Sequence, residues 1–109
     1  MRALSVKQPY ASLIAWGFKT IELRTWKISP GPLAIVSSKS GDPEMPCGVL
    51  LGTVDVIDCR LATEDDWKPA YCDVEPRHNL WAIVLANAYE LPEDRRIPIK
   101  GKLGLFEIE

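Results

Sequence analysis

The sequence predicts a mainly β fold with short helices, in which about six strands roll into a closed or nearly closed barrel. Three observations carry that reading. Short apolar, β-branched stretches alternate with Gly, Pro, Asn and Asp clusters along the whole chain. Helical spacing of apolar residues is confined to one early segment. No strand–helix–strand unit recurs, which argues against a doubly wound parallel sheet. At 109 residues the chain is long enough for one compact domain, residues 1–109, and too short for two.

"ALSV" at 3–6 predicts the first strand, and "QPYASLIAWG" a short helix with Pro9 in its first turn and Gly17 at its stop. Tyr10, Leu13, Ile14 and Gly17 recur at helical spacing, which predicts Leu13 and Ile14 on the core. "GFKTIELRTW" at 17–26 then turns into a strand, and "SPGP" at 29–32 closes it. "LAIVSS" at 33–38 is the next strand, followed by a predicted loop, "KSGDPEMPCG", at 39–48. "VLLGTVDVIDCRLA" at 49–62 reads as a strand with a bulge or close backbone approach at Gly52. Residues 63–79 are acidic and irregular, with Thr63 and Asp66 placed to cap a short helical turn. "LWAIVLANAYEL" at 80–91 and "GLFEIE" at 104–109 are the last two strands, and the basic "RRIPIKGK" at 95–102 lies between them.

Hydrophobic residues make up 47% of the chain and charged residues 26%, an ordinary globular balance. No apolar run is long enough to span a bilayer, and the first ten residues lack the apolar core of a secretory signal, so a cytoplasmic protein with no membrane role is expected. Cys47, Cys59 and Cys72 form no CxxC pair and are read as reduced thiols. With His78 the single histidine, a zinc site would need ligands from scattered loops, and no metal or cofactor is expected. The net charge of −2 conceals a division along the chain. Residues 1–39 hold six Lys/Arg against one acid, 40–94 hold three against twelve, and 95–109 hold four against two. If the two basic ends meet, they form a positive surface for phosphates.

The chemistry concentrates in a few places. In an extended 20–26 segment, Ile21, Leu23 and Thr25 point one way and Thr20, Glu22, Arg24 and Trp26 the other. Glu22 and Arg24 are then neighbours that can pair or share a ligand, and Lys19 sits where the turn enters the strand. A partly desolvated lysine loses proton affinity and can serve as a base. An exposed ion pair on a barrel exterior is the competing reading. Lys7 and Gln8 stand at the end of the first strand, where Gln8 could read a base edge or cap the helix. Ser37, Ser38 and Lys39 could grip phosphate, as could Lys100 and Lys102, with Gly101 and Gly104 permitting close approach. Trp26 or Tyr10 could stack on a base, while Trp81 reads as core.

These blocks resemble the ASCH domain, a branch of the PUA-like barrel superfamily. Gly17, Lys19, Glu22 and Arg24 fit its pattern Gly-x-Lys-x-x-Glu-x-Arg. "LSVKQPYA" at 4–11, "GPLAIVSSK" at 31–39, "GTVDVIDC" at 52–59 and "KGKLGLFEI" at 100–108 stand in the expected order around it. The resemblance implies a six-stranded β-barrel with helices at its openings and a cleft onto which Lys19, Glu22 and Arg24 project. It also implies binding of RNA, DNA or nucleosides. One bacterial branch removes the acetyl group of N4-acetylcytidine with a lysine, a threonine and a glutamate. By position Lys19 matches that lysine, and Glu22 stands where that branch has its threonine. A ribonuclease activity, with Lys19 and Arg24 stabilising a phosphorane-like state, is a further implication.

The expectation is therefore an RNA- or nucleoside-binding domain, a monomer or weak dimer, with DNA as an alternative ligand. Lys7, Gln8, Tyr10, Arg24, Trp26, Ser38, Lys39, Lys100 and Lys102 would contact that ligand. In the alternative reading, a small hydrolase of a modified nucleoside, Lys19 and Glu22 would be the catalytic pair. A third reading gives the acidic 63–79 segment a basic protein partner.

Overall fold

The computed structural model describes residues 1–73, 75 and 79–109. Its elements run β1 (Arg2–Gln8), α1 (Tyr10–Ala15), β2 (Ile21–Arg24), β3 (Gly31–Gly41), β4 (Leu50–Leu61), β5 (Trp81–Glu90) and β6 (Leu105–Glu107), with 3₁₀ turns at Glu64–Asp66 and Glu93–Arg95. The six strands form one sheet in the order β2-β5-β4-β3-β1-β6. β1 runs parallel to β3, and every other pairing is antiparallel.

The mainly β class with a short helix is as the sequence predicts, and of the closed or nearly closed barrel it is full closure that the sheet does not reach. β2 and β6 are sheet edges of four and three residues, with no ladder joining them among the described residues. Closure would need a ladder between the two edge strands in a register staggered around the whole sheet, and that last pairing is the one not formed. What crosses the seam is a side chain, since Arg24 Nη2 on β2 donates to the Ser5 carbonyl on β1 at 3.3 Å.

The helix is six residues long. Gln8 Oε1 accepts from the Ser12 amide at 2.9 Å, serving one of the orphan donors of its first turn. Gly17 takes φ +84°, and the Phe18 and Lys19 amides both fold back onto the Leu13 carbonyl. Its buried residues are Ala11, Ser12, Ile14 and Ala15, so Leu13 is half-buried and polar Ser12 takes a core position. Ser12 tolerates that place because the Gln8 amide also donates to its hydroxyl at 2.8 Å.

β3 extends beyond the predicted strand at both ends. Lys39, Ser40 and Gly41 belong to it rather than to a loop, because Gly41 pairs with Gln8 and the Asp42 amide donates to the Gln8 carbonyl at 3.1 Å. β4 slips register beside Gly52, where an added Cβ would collide with the Tyr89 carbonyl oxygen. The close approach read from the sequence is therefore present there. Asp66 accepts from the Thr63 amide at 2.8 Å, completing a capping box on the 3₁₀ turn, and Arg60 holds both its oxygens at 2.7 and 2.8 Å.

The main core lies inside the rolled sheet. Leu4, Leu33, Ile35, Leu51, Val56 and Ile83 meet there under Ile14 of α1. A second cluster of Ala3, Ala34, Val36 and Phe106 packs where β6 meets β1. Trp81 is half-buried at a strand end with the Lys27 ammonium 4.6 Å from its ring centroid, a cation–π contact in place of a core position. No disulfide joins Cys47, Cys59 and Cys72. Among the described residues no helix is long and apolar enough to cross a membrane.

Candidate functional site

The seam that the sheet leaves open is a cavity of about 1210 Å³. β1 contributes Ser5, Val6 and Lys7 to its wall, and β2 with its entry turn contributes Lys19, Glu22, Leu23 and Arg24. Ser38, Lys39 and Ser40 of β3 line it, as does the stretch from Lys100 to Gly104 that leads into β6. Pairing of β1 with β6 brings the two basic ends of the chain together here. Among the described residues, six cations and three carboxylates line the cavity in a chain whose net charge is −2.

Its floor is a buried charge network. Lys19 is 5% exposed and Glu22 7%. Lys19 Nζ donates to the Ile21 carbonyl at 2.7 Å and the Ala70 carbonyl at 2.6 Å, and lies 3.2 Å from Glu22 Oε1. Arg24 meets Glu22 Oε2 with Nε at 2.8 Å and Nη2 at 2.7 Å. Each charge is thereby satisfied in a place where an unpaired one would be prohibitive. Burial pushes the Lys19 ammonium below the ordinary lysine range, against the attraction of Glu22. All three ammonium donors nevertheless have acceptors, so the charged form is the one this geometry fits. Arg24 Nη1 makes no hydrogen bond among the described residues, and the guanidinium is a quarter exposed to the cavity.

Of the residues singled out from the sequence, Lys7, Tyr10, Lys19, Glu22, Arg24, Ser38, Lys39, Lys100 and Lys102 line this one cavity. Gln8 does not. It is 2% exposed, and its amide is consumed by Ser12 and by the Pro46 carbonyl at 2.8 Å, so it fastens the helix and has no edge left for a base. Trp26 is also elsewhere. β2 ends at Arg24, the alternation ends with it, and the indole packs on the main core with the Arg24 guanidinium 5.9 Å from its ring centroid.

Sequence reasoning passed over the opposite wall. Ala70, Tyr71, Cys72, Asp73 and Glu75, from the acidic excursion, face the cavity together with Leu80 and Leu103. The Thr20 amide donates to the Pro69 carbonyl at 3.2 Å, and with the Lys19–Ala70 bond this ties the excursion to the start of β2. Nothing local in "KPAYCD" announces that attachment, which depends on a lysine 51 residues earlier. Among the described residues no cluster of His, Cys, Asp or Glu is arranged to hold a metal ion, and His78 lies outside them.

Comparison with known proteins follows the same lines. The ASCH domain family model matches residues 4–93. Human activating signal cointegrator 1 is 28% identical over an alignment of 131 residues, covering 97% of this chain but 22% of that protein. The chain thus spans about a fifth of the length of that curated relative. The crystal structure of the ASCH protein from Zymomonas mobilis superposes with a TM-score of 0.68 at 14% identity, covering 99% of this chain and 87% of that one. A point variant of the same protein gives a TM-score of 0.71 with the same identity and coverage. At that identity the likeness is one of fold, and it places the open six-stranded sheet in the PUA-like class. From the match over residues 4–93, the chain belongs to the ASCH domain family, which is associated with RNA binding.

Proposed function

We propose that the seam cavity binds a nucleotide of RNA. The observation that carries this reading is a floor of fixed, mixed charge beneath a rim of exposed lysines. Bare phosphate would be served by cations alone. A nucleotide presents phosphate together with a base edge that carries both donors and acceptors. Lys7, Lys39, Lys100 and Lys102 suit the backbone, Arg24 Nη1 suits a base carbonyl or ring nitrogen, and Tyr10 at the rim suits stacking. Among the described residues Glu22 Oε1 accepts from Lys19 alone, which leaves it a lone pair for an exocyclic amine.

A hydrolase reading draws support from one observation, the lowered proton affinity of Lys19 beside a carboxylate. It is the lesser reading, because a neutral Lys19 would withdraw a donor from one of its three buried acceptors.

Calorimetric titration with the four ribonucleoside 5′-monophosphates and a mixed-sequence single-stranded RNA tests the first reading, with the same DNA sequence as control. Binding weakened at least tenfold by Lys7→Ala with Lys39→Ala, both exposed, is the expected result. Equal binding by that variant and by the Glu22→Ala, Arg24→Ala variant would overturn it. Incubation with N4-acetylcytidine, followed by chromatography, tests the second reading, and turnover by the parent that is lost on Lys19→Arg while the variant stays folded would restore it.

A further inference from the structure

A second groove of about 440 Å³ adjoins the first cavity, lined by Phe18, Trp67, Lys68 and Pro69 together with Tyr71, Cys72 and Asp73. The last three residues also line the first cavity, so the two spaces are separated by a single stretch of wall. Phe18 is 64% exposed and Tyr71 41%, so both rings present open faces to this groove. Phe18 is held out in the turn after α1, with its amide on the Leu13 carbonyl at 2.9 Å and its ring edge-on to Trp16 at 6.4 Å. Tyr71 sits at φ +57°, with its amide on the Lys68 carbonyl at 3.0 Å.

We infer that this groove seats the base next to the one in the seam cavity, so that the domain takes at least two consecutive nucleotides of single-stranded RNA. The inference rests on the nucleotide reading of the first cavity. Three features favour that occupant. Exposed aromatic faces beside a lysine are the combination that holds an unpaired base and its phosphate. The groove itself, at about 440 Å³, falls within the range of roughly 300–1,000 Å³ of small-ligand pockets. The strand of backbone joining two bases would cross the Tyr71–Asp73 wall, where the Asp73 carboxylate can accept from a 2′-hydroxyl.

The test compares ribonucleoside 5′-monophosphates with the sixteen ribodinucleotides and with the matching deoxy forms, at one salt concentration. The parent is expected to bind its best dinucleotide about fivefold or more tighter than the corresponding monophosphate, the gain of one stacked base. Phe18→Ala and Lys68→Ala, both at exposed positions, should remove that gain and leave monophosphate binding unchanged. The Trp67 indole N–H resonance should shift with the dinucleotide and not with the monophosphate. Monophosphate binding with no gain from a second nucleotide, or a gain that survives Phe18→Ala, would overturn the second seat alone. Absence of binding by every probe would overturn it together with the nucleotide reading.

Discussion

The Lys19 ammonium and the Ala70 carbonyl oxygen lie 2.6 Å apart, and that bond pins the acidic excursion to the turn entering β2. One side chain thus holds up two walls of the cavity. The same nitrogen balances Glu22, so the residue that looks catalytic from the sequence has a structural duty in any functional reading.

Replacing Lys19 with methionine should therefore destabilise the domain strongly. Glu22 would keep Arg24 but lose its second partner, and two buried carbonyls would lose their donor. Breaking a buried pair on one side costs about 3–5 kcal/mol, and urea unfolding should show a loss of that size. Amide exchange at Thr20, whose N–H is held by Pro69, should quicken in parallel. A loss below about 1 kcal/mol, the scale of an exposed pair, would show that the network is not stabilising.

Gln8→Ala separates the two roles read for Gln8. Its amide serves Ser12 and Pro46 and has no contact with the cavity. Unfolding free energy should fall by about 1–3 kcal/mol through the unsatisfied buried groups left behind. Nucleotide affinity, measured well below the melting temperature, should stay within about twofold, far less than the tenfold that corresponds to 1.4 kcal/mol. A selective loss of affinity without loss of stability would return Gln8 to the ligand.

Lys100→Ala with Lys102→Ala probes the rim. Each lysine that meets a phosphate of single-stranded RNA adds about 0.7 to the slope of log affinity against log salt, so removing two should flatten it by about 1.4. Titrations over a range of salt concentrations read that slope directly. An unchanged slope would place the phosphates elsewhere on the cavity.

Asp66 should contribute an acid-sensitive part of the stability. The Arg60 guanidinium holds its carboxyl below the ordinary value of 3.8, helped by the Thr63 amide and opposed by burial. The folded state then binds fewer protons than the unfolded one in that range, so the contribution is complete above pH 3.8 and disappears as pH falls through the folded value. Melting temperatures between neutral pH and about pH 2 should fall more steeply for the parent than for Asp66→Asn, if only because an amide does not titrate. Parallel curves would remove Asp66 from the account.

What the sequence determined by itself is local. Pro9 and Gly17 bracket the helix, Thr63 and Asp66 make a capping box, Gly52 marks a backbone approach, and alternation sets Glu22 beside Arg24 on β2. Each depends on spacing within a few residues, where backbone geometry leaves few choices. The motif residues were legible for the same reason.

Tertiary structure decided the rest. Gln8 turns inward because Ser12 and Pro46 both meet its amide, and Pro46 is 38 residues away. Trp26 leaves the charged face because β2 stops two residues earlier. Closure of the barrel depends on whether the two edge strands β2 and β6 pair, and their lying apart leaves the seam that becomes the cavity. The attachment that brings Ala70, Tyr71, Cys72 and Asp73 to that cavity runs through a buried lysine far back in the chain. Contacts between distant segments are fixed by the packing of the whole sheet, and a single sequence carries no local trace of them.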